Sequence, residues 1–121
     1  MHTIESKVNI HSEDYKKNYA TMESLVEALR REMKRARDER SRKALDRLVE
    51  SGKLPAHKKL DLLLDKNTPF LEIAPLAARD MYDGKIHAAG LRAGIGVVGG
   101  KEVVVSINDA TIKGGSAYPL S

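Results

Sequence analysis

Residues 93–105 read AGIGVVGGKEVVV, and this run constrains the fold more than any other part of the chain. Gly94, Gly96 and Gly99 form a Gly-x-Gly-x-x-Gly pattern. A dinucleotide-binding turn of that pattern must follow a strand and open a helix whose N-terminus meets a pyrophosphate. Here Lys101, Glu102, Val103, Val104, Val105, Ser106 and Ile107 come next, a β-branched run that favours strand over helix. A phosphate-binding P-loop fails as well, because Gly100 stands where lysine is required and no Ser or Thr follows it. Two valine-rich runs joined by Gly99-Gly100 instead predict a β-hairpin with a two-residue turn, both residues at positive φ. Gly94 and Gly96 fall on one face of the first strand. Their missing side chains predict close packing of a neighbouring layer against that face.

The hairpin sits late in the chain, after a helical front half. Ser12 is an N-cap candidate, with Glu13 and Asp14 in the following turn. Met22, Leu25, Val26, Leu29, Met33 and Ala36 then recur at three and four, the stripe of an amphipathic helix. A break is expected near Asp38–Ser41, with Ser41 capping a second piece that carries Leu45, Leu48 and Val49 and stops at Gly52. Pro55 opens a short helix with Leu60, Leu63 and Leu64 as its expected buried face, and Asp65–Pro69 breaks it. FLEIA, RAGIGVV and KEVVVSI follow as strands. Helices first and strands after give an α+β class, divided into a helical segment at 1–54 and a strand-bearing segment at 55–121.

Composition removes several chemistries. There is no cysteine in 121 residues, so disulfides, thiolate nucleophiles and cysteine-based zinc sites are excluded together. His2, His11, His57 and His87 lack metal-ligand spacing, and no metal site is expected. Asp80, Asp83 and Asp109 form no evident acid–base pair. The N-terminal MHTIESKVNIHSEDY has no apolar core of a secretory signal, and no apolar run is long enough for a membrane span. A cytoplasmic setting without membrane contact is the expectation. Of the 21 basic residues, 15 precede Lys66, against 12 of the 17 acids. Arg30–Lys43 carries eight basic residues and three acidic ones. That run reads either as a nucleic-acid helix or as a solvated face with i,i+4 pairs such as Glu27–Arg31. It holds no aromatic residue to stack on bases, and no nucleic-acid partner is expected.

The segment after the hairpin, NDATIKGGSAYP, carries the remaining chemistry. Asn108 and Asp109 favour a turn through their own side chains. Gly114, Gly115 and Ser116 can present successive backbone amides to an anion or a carbonyl oxygen, with Lys113 adding a cation. The same residues also read as a glycine turn leading into a helix capped by Ser116.

GKLPAHKKLDLLLDKNTPFLEI, residues 52–73, resembles the opening segment of the carboxyltransferase subunits of biotin-dependent acyl-CoA carboxylases. In those, Gly-Lys-Leu leads to Arg-Glu-Arg, a leucine-rich run, a turn and Phe-Leu-Glu. MYDGKIHAAGLRAGIGVVGGKEVVVSINDATIKGGSAYP, residues 81–119, continues in register and is similar to the first hairpin and glycine loop of the family. The resemblance covers about residues 14–119. Lys113, Gly114, Gly115, Tyr118 and Pro119 look like the methylcrotonyl-CoA and geranyl-CoA branch. Propionyl- and acetyl-CoA members carry Phe or Met before the glycines.

The resemblance implies a crotonase-like fold of repeated β-β-α units, of which this chain would hold only the opening hairpins. It implies acyl-CoA as one substrate, and biotin carried on a partner protein as the source of the carboxyl group. Lys113, Gly114, Gly115 and Ser116 fall on the loop along bound acyl-CoA. Enolates on the thioester and on biotin are stabilised by backbone amides, which accounts for the lack of an acid–base pair. The implied partners are a biotin carboxylase and carrier subunit, and further carboxyltransferase subunits in a homo-oligomeric core. Two departures stand out: His57, Lys58 and Lys59 replace Arg-Glu-Arg, and Val97 stands where arginine is frequent. Family subunits run to several hundred residues in two such domains. The main oxyanion elements are therefore expected beyond residue 121, no catalytic residue is expected here, and the chain is expected to be inactive alone. Its hairpin is expected to expose apolar surface that further chain would cover.

Overall fold

The computed structural model describes residues 3–117 and Pro119. Tyr118, one of the residues that carries the resemblance to the methylcrotonyl-CoA branch, lies outside the described residues. The chain divides into two compact units, residues 1–32 and 33–121.

The first unit is built on α1, which starts at Glu13 and runs on to Asp38. Ser12 caps it as its chemistry requires: the hydroxyl oxygen accepts from the Tyr15 amide at 3.2 Å, and Glu13 and Asp14 meet the positive end of the helix. The apolar stripe forms but stays wet. Met22 and Leu25 are each 60% exposed.

In the second unit α1 ends at Asp38, and α2 runs Arg42–Glu50. Ser41 caps α2, accepting from the Ala44 amide. Gly52, at φ +70°, closes it, with the Lys53 amide reaching back to the Leu48 carbonyl at 3.1 Å. Helix α3 runs Ala56–Leu63 with Pro55 at its N-cap. Ala56 and Leu60 are its buried residues. The expected Leu60–Leu63–Leu64 face is corrected: Leu63 is exposed, because the helix ends there and Leu64 turns to extended backbone (ψ 146°). Leu64 then reaches the sheet on its own.

Strands β1 (Leu71–Ile73), β2 (Leu91–Val98) and β3 (Lys101–Asn108) form one antiparallel sheet in the order β1-β2-β3. The hairpin is the one its glycines predict. Val98 pairs with Lys101, and Gly99 and Gly100 sit at φ +58° and +75°. Gly94 and Gly96 lie on the buried face of β2, beneath Phe70 and Leu64. Val105 is buried on the same face, opposite Gly94. Arg92 shares that face at 7% exposure and is paired with Glu72 of β1 at 2.9 Å. The other face is open. Leu71, Ile95 and Val104 stand opposite one another across the three strands, and Val104 is 75% exposed.

Asp65 ties the end of the helical part to the hairpin. Its two carboxylate oxygens accept from the Gly99 and Gly100 amides at 2.8 and 2.7 Å. Its own amide donates to the Val97 carbonyl at 2.8 Å. The Gly100 and Gly99 amides hold the carboxyl below its ordinary value of 3.8. A depressed folded value gives stability that is fully present above 3.8 and is lost as pH falls through the lower folded value. Asp65→Asn should therefore lower the melting temperature at neutral pH and lessen the further loss below 3.8. Thermal melts of both chains across that range check it, and parallel pH profiles would contradict it.

Candidate glycine-loop site

The loop leaving β3 is shaped by Asp109 before it reaches the glycines. Asp109 is 4% exposed. One carboxylate oxygen accepts from both the amide and the hydroxyl of Thr111. The other accepts from Arg40 Nε at 2.8 Å. Burial pushes this carboxyl up, but the Thr111 hydrogen bonds and the Arg40 guanidinium outweigh it, and the net shift is downward. The Ile112 amide donates to the Asp109 carbonyl at 3.0 Å, and the Ile112 side chain is buried, which fixes the base of the next turn.

Lys113, Gly114 and Gly115 then take φ values of +46°, +66° and +85°. Three successive left-handed residues suit two glycines and strain the lysine. Lys113, Gly114 and Ser116 are exposed and Gly115 is half-buried, so a ligand can reach this turn. Its amides are not all available. Gly115 donates to the Ile112 carbonyl at 2.9 Å and Ser116 to the Lys113 carbonyl at 3.3 Å. The Gly114 amide has no hydrogen-bond partner among the described residues. The Ser116 hydroxyl donates to the Lys113 carbonyl at 2.7 Å, closing the turn from its far side.

Two clefts share Lys113 of this loop in their lining. One of about 330 Å³ is lined by Arg47, Lys53, Ala110, Lys113 and Gly114. Its charged lining is wholly cationic. A second of about 550 Å³ holds Arg35, Arg40, Lys85, His87 and Lys113 against Glu39 and Asp83. Burial and the Arg40 guanidinium hold His87 below its ordinary value of 6.5, with Glu39 opposing. The positive field is therefore that of Arg47, Lys53 and Lys113, the setting for an anionic ligand, whereas in the larger cleft Arg35, Arg40 and Lys85 are each paired with an acid.

Sequence reasoning missed the buried pairs Arg40–Asp109 and Arg92–Glu72. Each charge finds its partner through tertiary packing, and no local motif announces either one. Four cations of the basic run 30–43 are paired within the chain: Lys34 with Asp38, Arg35 with Glu39 and Arg37 with Asp38 on the surface, and Arg40 with Asp109 inside. Lys34–Asp38 and Arg35–Glu39 are i,i+4 pairs of the expected kind, at other positions than Glu27–Arg31. Among the described residues no cluster of three His, Asp or Glu could hold a metal, and no helix is long and apolar enough to cross a membrane.

A sequence profile of the carboxyl transferase domain matches residues 47–121. The chain is 40% identical over 119 residues to a probable methylcrotonoyl-CoA carboxylase beta chain, mitochondrial, of Drosophila melanogaster, covering 98% of this chain and 21% of that one. It is 49% identical over 84 residues to the biotin-dependent 3-methylcrotonyl-coenzyme A carboxylase beta1 subunit of Mycobacterium tuberculosis, covering 69% and 15%. Among solved structures it superimposes on the geranyl-CoA carboxylase beta subunit of P. aeruginosa with a TM-score of 0.79 and 32% identity, over 94% of this chain and 21% of that one. The transcarboxylase 12S hexamer core matches with a TM-score of 0.66 and 26% identity, over 78% and 19%. The chain spans about a fifth of the length of these relatives.

Proposed function

Because the chain belongs to the carboxyl transferase domain family, we propose that it is the opening portion of an acyl-CoA carboxyltransferase subunit acting on a branched substrate such as 3-methylcrotonyl-CoA. The helical segment 1–54 leads into the first, incomplete crotonase-like domain at 55–121. The observation that carries the reading is the left-handed turn Lys113–Gly115, reachable from solvent and flanked by Arg47 and Lys53. CoA brings phosphates that the three cations attract, and its thioester needs amide donors rather than a matched acid and base.

In this reading Lys113 and its flanking cations hold the CoA phosphates. Gly114, Gly115 and Ser116 form the wall of the acyl-CoA channel, where a side chain at either glycine would intrude. Carboxybiotin on a partner protein supplies the carboxyl group. Biotin is assigned to a partner because the relatives include a beta1 subunit named as biotin-dependent. The partners are a biotin carboxylase and carrier subunit and further carboxyltransferase subunits. A cytoplasmic setting belongs to the same proposal; cell fractionation decides it, since named relatives include mitochondrial chains.

The test is carboxylation of 3-methylcrotonyl-CoA by the complete subunit that carries this segment, supplied with its biotin partners. No carboxylation of any branched acyl-CoA would end the reading. The 121-residue chain alone should turn over nothing and bind CoA with a Kd weaker than about 100 μM. Low-micromolar affinity by calorimetry would show that these residues make a more complete site than proposed. A second reading, a non-catalytic module that associates with carboxylase subunits, is favoured by the exposed Leu71–Ile95–Val104 row. Capture of biotin carboxylase partners without turnover by any longer form would select it.

A further inference from the structure

We infer that Arg40 is a positioning residue for the glycine loop, holding it in shape through Asp109 and Thr111 without itself being part of the turn. Its readout in kinetics rests on the acyl-CoA reading above, but the relay itself does not.

The relay is continuous in hydrogen bonds. Arg40 Nη1 donates to the carbonyls of Ala36 and Glu39 at 3.0 and 2.7 Å, tying the guanidinium to the end of α1. Arg40 Nε donates to Asp109 across 69 residues of sequence. The Arg40 and Asp109 side chains are 9% and 6% exposed, so water does little to screen them. Asp109 passes the constraint on through the Thr111 amide and hydroxyl and, from its carbonyl, through the Ile112 amide. The Ile112 carbonyl then accepts from Gly115, inside the left-handed turn. Apart from the exposed bond to the Glu39 carbonyl, each step is a buried or half-buried contact with a defined direction.

Arginine suits the place because its fork serves a carboxylate and two backbone carbonyls at once. Lysine is a point charge on a flexible stem and cannot hold both ends in the same way. Removing the charge leaves Asp109 buried and uncompensated, which would push its carboxylate toward solvent and pull Thr111 with it.

Steady-state kinetics of the complete subunit, assembled with its biotin partners, test this. Arg40→Lys should raise KM for acyl-CoA about tenfold and leave KM for the biotin-carrying partner within about twofold. Asp109→Asn should act in the same direction, and the double variant should be no worse than Asp109→Asn alone. A purely structural role would reduce active assembly and so kcat, with both KM values unchanged; that result overturns the inference. If Arg40→Lys does not assemble, Thr111→Val leaves the ion pair intact and should still raise the acyl-CoA KM about threefold. An unchanged KM there overturns it equally. A parent subunit that carboxylates no acyl-CoA ends the acyl-CoA reading while leaving the relay open to a second measurement. Amide exchange at 111–116 should then be about tenfold faster in Arg40→Lys than in the parent, and equal rates overturn the relay.

Discussion

Gly115→Asp in the complete subunit should abolish acyl-CoA turnover while leaving assembly intact. Two effects act together. At φ +85° any side chain strains the backbone, and the new Cβ would lie 3.4 Å from Ala110 Cα. More important is charge. If the acyl thioester lies along this turn, as the proposed function has it, a carboxylate here replaces attraction by repulsion. Removing a single oxyanion donor costs about 100-fold or more in kcat, and opposing the charge should cost at least that, about 3 kcal/mol. Gly115→Ala separates the two, because it carries the strain without the charge, and it should retain measurable turnover. The check is kcat with 3-methylcrotonyl-CoA alongside the mass of the assembled particle. Normal turnover by the aspartate variant would move the thioester away from this loop.

Gly94→Ala should be the most destabilising small substitution in the sheet, at about 3 kcal/mol. A Cβ there would lie 2.3 Å from Phe70 Cζ and 2.5 Å from the Leu71 carbonyl oxygen. Phe70 can rotate, but the carbonyl belongs to the neighbouring strand, so β1 must shift and its ladder with β2 weakens. Gly96→Ala is the comparison. Its Cβ would meet Leu64 Cδ2 at 2.5 Å, the far end of a flexible side chain that can rotate away. It should cost about 1 kcal/mol. Urea unfolding of the two variants gives the order directly. Equal losses, or a larger loss at Gly96, would show that the Phe70 layer is looser than the contacts indicate.

These two glycine pairs also show what a sequence can and cannot disclose. The turn at Gly99-Gly100 was legible because a two-residue hairpin needs positive φ at both positions and the flanking residues are strongly β-branched. The caps at Ser12 and Ser41 and the stop at Gly52 were legible for the same reason: each depends on chemistry within four residues. That Gly94 and Gly96 needed close packing was legible; that Phe70 and Leu64 supply it was not. Periodicity places Leu63 on a buried face, yet it is exposed because the helix ends one residue before Leu64, a boundary that periodicity cannot fix to a single residue. Asp65, Arg40 and Arg92 gave no warning at all. Each sits in a run of ordinary charged or apolar residues, and its partner lies between 20 and 69 positions away. The glycine loop lay between these cases. Its residue types pointed to amides and a cation, but the sequence did not show that Gly115 and Ser116 spend their amides closing the turn.

The row of Leu71, Ile95 and Val104 has a bearing on biosynthesis. A nascent chain that has emerged as far as Asn108 can already close all three strands, yet one side of that small sheet is greasy and wet. Translation beyond this point is slow compared with hairpin closure. For that interval the ribosome displays a finished, sticky tile. Yield in a host cell should accordingly respond to chaperones that shield short apolar strands, and swapping Val104 for threonine should lessen that dependence without disturbing the hairpin.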